Sequence, residues 1–326
     1  MTVPAATTQT FQQIGIREDL SDDIYDISPT ETPVVSKLPR VKAKNVNHEW
    51  LTDSLAAAAN NRKIQGDDKT AGTADPRVRI NNYTQISDKV IQVSGTSRAV
   101  DAAGLEDEYS YQIAKRGREL KRDIELAVTQ NQPSSAGGAG TASSMASMES
   151  WIASNKTYCG SLDGSVGATT PGWSSNAVAA PTDNSQTGSI NETLLKSVLQ
   201  SVWTAGGDPS MIVVGAGVKQ KMSGFTGIAT QYRENSGVKQ ATILAAAAVY
   251  VSDFGELRIV PDRFSRSRTA LILDMEYWAL AELRPMKSTP LAKTGDSDKA
   301  MLLTEYTLES RNEKASGKIT DIDPTK

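Results

Sequence analysis

The sequence predicts a mixed α+β chain, and three stretches carry that prediction. One is a long helical period over Leu105–Gln130. The second is a pair of alternating, strand-like runs over residues 40–95. The third, from residue 191 onward, interleaves short helices with short apolar strands. With 326 residues the chain is long enough to bury a large core and to hold more than one domain.

Residues 1–39 form an arm. The first ten are rich in Thr, Ala and Gln, and the rest alternates short apolar contacts with acids such as Asp22, Asp23 and Asp26. Ser28-Pro29, Thr32-Pro33 and Leu38-Pro39 punctuate it as turns. Such a segment has no core of its own and is expected to lie on another surface, in its own chain or a neighbour's.

Residues 40–95 read as an extended β-ribbon. RVKAKNVNHEWLTD runs out and RVRINNYTQISDKVIQVSG returns, with Val78, Ile80, Thr84, Ile86 and Val90 on one parity. The loop between them, residues 54–76, holds six charges and only two large aliphatic residues, Leu55 and Ile64. A loop of 23 residues is unusual inside a compact domain, so the ribbon is expected to project.

Residues 96–150 centre on the long helix. Leu105, Tyr109, Ile113, Leu120, Ile124 and Val128 mark one apolar face, and Gly117 falls on it. That placement predicts a close approach at Gly117, because a glycine inside a helix needs some offsetting contact. Lys115, Arg116, Arg118, Lys121 and Arg122 alternate with Glu119, Asp123 and Glu125 on the polar face. At 1.5 Å per residue such a helix would extend about 39 Å. Its charged side reads either as a solvated face with local ion pairs or as a strut meeting a neighbouring subunit.

Residues 133–190 carry only Glu149, Lys156, Asp163 and Asp183 as charges and read as irregular but partly packed, with a short helix in SSMASMESWIASN. Asn191 is positioned to cap the next helix, whose stripe is Leu194, Leu195, Val198, Leu199, Val202 and Trp203. Met211–Val214 reads as a buried strand followed by a helix near VKQKMSGF, then a polar loop, QYRENSGVKQ. Strands follow at VYVSD, LRIVP, TALILDM and YWALAELRP. A last extended segment, AMLLTEYTLESRNEKASGKI, has turn residues near Ser316-Gly317.

The composition narrows the function classes. Thirty-five basic and 38 acidic residues give a net charge of −3, which does not favour nucleic-acid binding by bulk charge. Cys159 is the single cysteine, so no intrachain disulfide forms, and a reducing compartment is expected. No secretory leader and no membrane span are read. His48 is the single histidine and is expected to be a structural strand residue beside Trp50. No catalytic set, cofactor site or metal site is expected. VVGAGVKQK has two of the glycines of a dinucleotide fingerprint, but Gln220 stands where the third belongs and Glu234 lies in the polar loop. GSVGATTPG lacks the ending of a phosphate loop, and Asp296 and Asp298 read as turn residues.

The order of these parts is more specific than any motif. SPTETPVVSKL in the arm, EW with Asp53 on the outgoing strand, the long helix and LDMEYWALAELRPMKSTPLAKTGDSDKAMLLTEYTLESRNEKASGKI together resemble the major capsid proteins of tailed bacteriophages. Their fold is named after phage Hong Kong ninety-seven. The resemblance covers nearly the whole chain. It implies an arm (1–39), an extended loop (40–95) and a peripheral domain on a spine helix (96–150). It further implies an axial domain (151–284) and C-terminal strands returning to both domains (285–326).

It also implies hexamers and pentamers of an icosahedral virion shell around double-stranded DNA, with no sequence-specific reading and no membrane. Assembly in the host cytoplasm, with a portal and a separate scaffolding protein, is expected, since no scaffolding segment precedes the arm. Some relatives join a loop lysine to a neighbour's asparagine; Lys63 and Lys69 are the loop-tip lysines, with no identifiable partner. Two other readings remain open. One is a cellular compartment of the same fold holding protein cargo. The other is an α/β nucleotide-binding enzyme using VVGAGVKQK.

Overall fold

The structure, a computed structural model, describes residues 29–66, 76–100, 107–160, 171–225 and 249–325. In chain order the first strands are β1 (Arg40–Lys42), β2 (Asn47–Thr52), β3 (Val78–Tyr83) and β4 (Gln85–Ser94). Helices α1 (Gly95–Ala99), α2 (Glu108–Thr129) and α3 (Met148–Trp151) come next, then β5 (Lys156–Tyr158), β6 (Gly172–Ser174) and β7 (Ala177–Ala179). α4 (Glu192–Thr204), β8 (Met211–Val214), α5 (Ala216–Ser223), β9 (Val249–Ser252), β10 (Gly255–Pro261) and β11 (Ala270–Leu273) follow. The chain continues through β12 (Trp278–Leu291), β13 (Ser297–Ser310) and β14 (Gly317–Thr320). The mixed α+β class is as the sequence predicts.

Two sheets organise these elements. One has four strands in the order β1-β12-β13-β4; the other has six, β5-β14-β11-β8-β10-β9. β8 is buried on both faces, and its alternation divides the core in two. Met211 and Val213 face a cluster that includes α3, Trp278 and the arm residues Val34, Val35 and Leu38. Ile212 and Val214 face a second cluster under α4 and α5, with Leu195, Val198, Leu199, Val202, Val218 and Met222. A strand covered on both sides reads as a continuous apolar run, which is why MIVV shows no polar alternation. β14 lies between β5 and β11, so the sheet closes through a strand that comes about 160 residues after β5.

The spine helix is shorter than its sequence period. Asp107 is its N-cap, accepting the N–H groups of Tyr109 and Ser110 at 3.3 Å each, so the first helical residue is Glu108. Leu105 and Glu106 lie outside the described residues. Its two halves differ. Tyr109 and Ile113 are partly buried over Ile91, Val93 and Leu302, whereas Leu120, Ile124, Ala127, Val128 and Thr129 are buried.

Four expectations need correction. An added Cβ at Gly117 would meet nothing within 4 Å, so no close approach occurs there among the described residues. Glu125, assigned to the polar face, is fully buried, because the arm covers it and directs the Val34 and Val35 N–H groups at its carboxylate. Trp203 is not part of the buried stripe of α4: it is 59% exposed and tilts against Phe254, centroids 5.3 Å apart. The parity of the return strand is reversed beyond Thr84, with Ile91 and Val93 packed under α2 while Ile86 and Val90 are exposed. The chain leaves the ribbon at Thr84, which donates its N–H to Val46 O and its hydroxyl to Glu305, and β4 pairs with β13 instead.

Candidate assembly surfaces

The two-stranded ribbon is confined to β2 and β3, whose register sets Trp50 opposite Ile80 and His48 opposite Asn82. Its root is held by side chains. Trp50 Nε1 donates to Ser310 O at 2.9 Å, and its ring lies 5.6 Å from that of Trp151. Asn82 donates to Leu308 O at 2.7 Å and accepts the Ala146 N–H at 2.9 Å. Asn81 accepts the indole N–H of Trp173 at 2.7 Å. His48 Nε2 lies 3.1 Å from Glu309 Oε2, a half-buried strand contact that fits the structural role expected of this histidine. The hydrogen bond with His48, and then Arg311, hold the Glu309 carboxyl below its ordinary range.

Beyond this root the ribbon's large aliphatic residues are left exposed by the described residues. Leu51 is 62% exposed, Leu55 99%, Ile64 82% and Val78 48%. Beneath it runs a groove of about 810 Å³, lined in part by Leu51, Val78, Ile80, Trp151, Trp173 and Tyr277. Ionic contacts on the ribbon are loose, Arg79–Glu49 at 3.6 Å and Arg77–Asp53 at 3.5 Å, and such exposed pairs contribute at most about 1 kcal/mol. Lys63 is exposed; Lys69 lies outside the described residues.

The charged side of α2 is partly engaged at home. Arg116 pairs with Glu119 at 2.6 Å, Asp123 with Lys89 at 2.8 Å, and Arg122 lies over the Phe264 ring. Lys115 and Lys121 remain exposed.

The buried ionic groups act as internal ties. Glu149 accepts Arg266 Nη1 at 2.8 Å and Thr269 Oγ1 at 3.2 Å, and Lys318 Nζ donates to the Glu149 carbonyl at 2.6 Å. Arg266 also pairs with Asp183, and Arg268 with Asp321 at 2.5 Å. Burial pushes the Glu149 carboxyl up and the Lys318 ammonium down to about 8. The network joins α3, the 183–184 segment, the turn before β11 and β14. Lys318 was not singled out by sequence reasoning, since a lysine in a short strand gives no sign of complete burial.

The glycine turn between β8 and α5 is filled by the chain itself. A Cβ at Gly217 would lie 2.9 Å from Pro324 Cβ, and one at Gly215 would lie 3.3 Å from Ser267 Cα. β8 pairs in parallel with β10 but antiparallel with β11, unlike an all-parallel dinucleotide sheet. These glycines therefore serve close packing. Glu234 and most of GSVGATTPG lie outside the described residues. Asp298 is held by Arg98 and Lys293, which pull its carboxyl below the ordinary range. Among the described residues no group of three or more His, Cys, Asp or Glu side chains is arranged to hold a metal, and no helix is long and apolar enough to cross a membrane.

Comparison with known proteins points the same way. A family model described as SU10 major capsid protein matches residues 3–323. A major capsid protein of Escherichia phage Phieco32 is 25% identical over 343 aligned positions, covering 94% of each chain. Among solved structures, a chain of Mycobacterium phage Bobi is similar with a TM-score of 0.60 at 12% identity, covering 94% of this chain and 95% of that one. A capsid chain of a native GTA particle is similar with a TM-score of 0.60 at 11% identity, covering 96% and 98%.

Proposed function

The chain belongs to the SU10 major capsid protein family, and on that premise we propose that its copies associate as hexamers and pentamers of an icosahedral head around double-stranded DNA. The family is structural, not enzymatic, and the protein is a phage major capsid protein, a component of the capsid shell. The finer reading is the fold type named after phage Hong Kong ninety-seven, supported by the overall likeness to a chain of Mycobacterium phage Bobi and to the capsid of a native GTA particle. In that reading residues 1–39 are the arm, 40–95 the extended loop and 96–150 the peripheral domain. Residues 151–284 are the axial domain, and 285–326 return through both.

The observation that carries the self-assembly reading is the ribbon. It has a fixed root and an outer half with exposed Leu51, Leu55, Ile64 and Val78. Large aliphatic side chains on a pair of strands without a core gain free energy only by being covered from outside the subunit. A portal, a scaffolding protein and assembly in the host cytoplasm complete the proposal. Electron microscopy of the protein produced with and without a scaffolding partner tests it: closed shells of uniform size are expected with the partner. A protein that stays monomeric in sedimentation under every assembly condition refutes it. The contents of purified particles separate a genome container from a compartment for protein cargo.

A further inference from the structure

The arm meets the spine helix at one buried group. Residues 32–38 form a compact turn, with Ser36 N–H donating to Thr32 O and Leu38 N–H to Val34 O. Thr32-Pro33 starts the turn, and Val34, Val35 and Leu38 are inserted in the main core. The backbone N–H groups at its start have no partner within the turn. Val34 N–H donates to Glu125 Oε1 and Val35 N–H to Glu125 Oε2, both at 2.8 Å. One carboxylate on α2 thus accepts both N–H groups of an arm segment about 90 residues earlier in the chain.

Glu125 has 0% exposure. The charged groups around it come from three elements. On α2, Arg122 is turned to the Phe264 ring. On the arm, Lys37 Nζ reaches Met211 Sδ at 3.1 Å on β8. After β10, Asp262 is 2% exposed and accepts the Phe264 N–H at 3.0 Å. The charge felt at Glu125 among the described residues is that of Asp262, and it is of the same sign. An ionised carboxylate here loses its water, gains two amide donors and faces a second carboxyl group. Desolvation outweighs the two hydrogen bonds, and the Glu125 carboxyl is pushed up to about 7.

We propose that Glu125 is a proton-operated latch of the arm, closed when the carboxyl is neutral and loosened when it ionises. Ionisation releases one proton to solvent. Lifting the 32–38 turn rehydrates the resulting charge, at the cost of withdrawing Val34, Val35 and Leu38 from the core. With the turn lifted the carboxyl is in water and has its ordinary acidity, so the open form binds fewer protons than the closed form near neutrality. The opening equilibrium therefore rises with pH, beginning near the ordinary carboxyl value and levelling off above the raised one. The latch belongs to the single subunit and stands whether or not the shell geometry proposed above is right.

Hydrogen exchange of the Val34, Val35 and Leu38 amides in the full chain tests this, after correction for the intrinsic pH dependence of exchange. Between about pH 5 and about pH 8 the opening constant should rise roughly fiftyfold or more. Glu125→Gln should flatten that rise, because glutamine has no proton to lose. Asp262→Asn removes the like charge and should make the rise level off at lower pH, with a smaller amplitude. A wild-type opening constant independent of pH, or an equal rise in Glu125→Gln, overturns the proposal. If Glu125→Gln does not fold, carbon-13 titration of the wild-type Glu125 carboxyl decides: a midpoint near neutrality supports the latch, and one below about pH 5 refutes it.

Discussion

The six-stranded sheet and the β2–β3 ribbon are built from similar strand-forming residues, yet they end in opposite states. In β8 and β11 every side chain is covered by the same chain, Met211 and Val213 on one face and Ile212 and Val214 on the other. In the ribbon the residues nearest the root are fixed by Trp50, Asn81 and Asn82, while Leu51 and Val78 are open to solvent one and three residues away. Strand propensity is thus satisfied in both, but burial within the subunit is satisfied in one. The sheet supplies subunit stability. The ribbon supplies little of it and presents apolar side chains for an outside surface to cover.

This contrast can be broken by substitution. Leu271→Ala in the sheet removes a fully buried side chain and should cost about 2–5 kcal/mol, read as a loss of melting temperature or of denaturant midpoint. Leu51→Ala in the ribbon should leave subunit stability within about 0.5 kcal/mol but lower the yield of closed particles. If the two variants lose stability equally, the ribbon is part of the core and the contrast fails.

The root of the ribbon should fall between these extremes. His48→Ala leaves the Glu309 carboxylate with one donor fewer and should cost about 1–3 kcal/mol. Because Glu309 has its acidity strengthened in the folded state, its contribution to stability is present above the ordinary carboxyl range and is lost as pH falls through its lowered folded value. A difference between wild type and His48→Ala that shrinks in acid would support this coupling; a difference constant down to strongly acidic pH would remove it.

A smaller effect, of opposite sign, is expected at Gly117. No atom lies within 4 Å of an added methyl group there, so Gly117→Ala should stabilise the subunit by about 0.5–1 kcal/mol. A destabilised melt would mean that the helix packs differently from the structure. Smallest of all is the effect of replacing residues 54–76 by a two-residue turn, which should leave the melt of the subunit almost unchanged and abolish closed particles. Normal shells from that variant would make the ribbon tip dispensable.

The legible parts of the fold were those governed by local period. The 3.6-residue spacing from Tyr109 to Val128 located the spine helix, and Asn191 located the start of α4, where it accepts the Leu194 N–H at 2.9 Å. What escaped was set by partners far away in sequence. Ile86 and Val90 share a parity with Val78, Ile80 and Thr84, but that pattern does not show that the chain changes partner strand at Thr84. Trp203 follows the stripe of α4 but is left mostly exposed, against Phe254 in the turn between β9 and β10. Glu125 gave no local sign, since Lys121 and Arg122 share its face; its burial is set by the arm, whose Val34 and Val35 N–H groups reach it from about 90 residues away. The order β5-β14-β11 left no local trace, because strand pairing across such separations depends on the whole fold.

That strand order also sets a timetable. β5, β8 and β11 are all synthesised before Gly317–Thr320, the strand that pairs with both β5 and β11. Lys318, which ties the Glu149 carbonyl, belongs to the same late segment. A subunit cut short before this point lacks the middle of its own sheet and cannot present finished surfaces to its neighbours. Completion of the six-stranded sheet, and of the Glu149 tie that Lys318 makes, thus waits on a segment near the far end of the described residues.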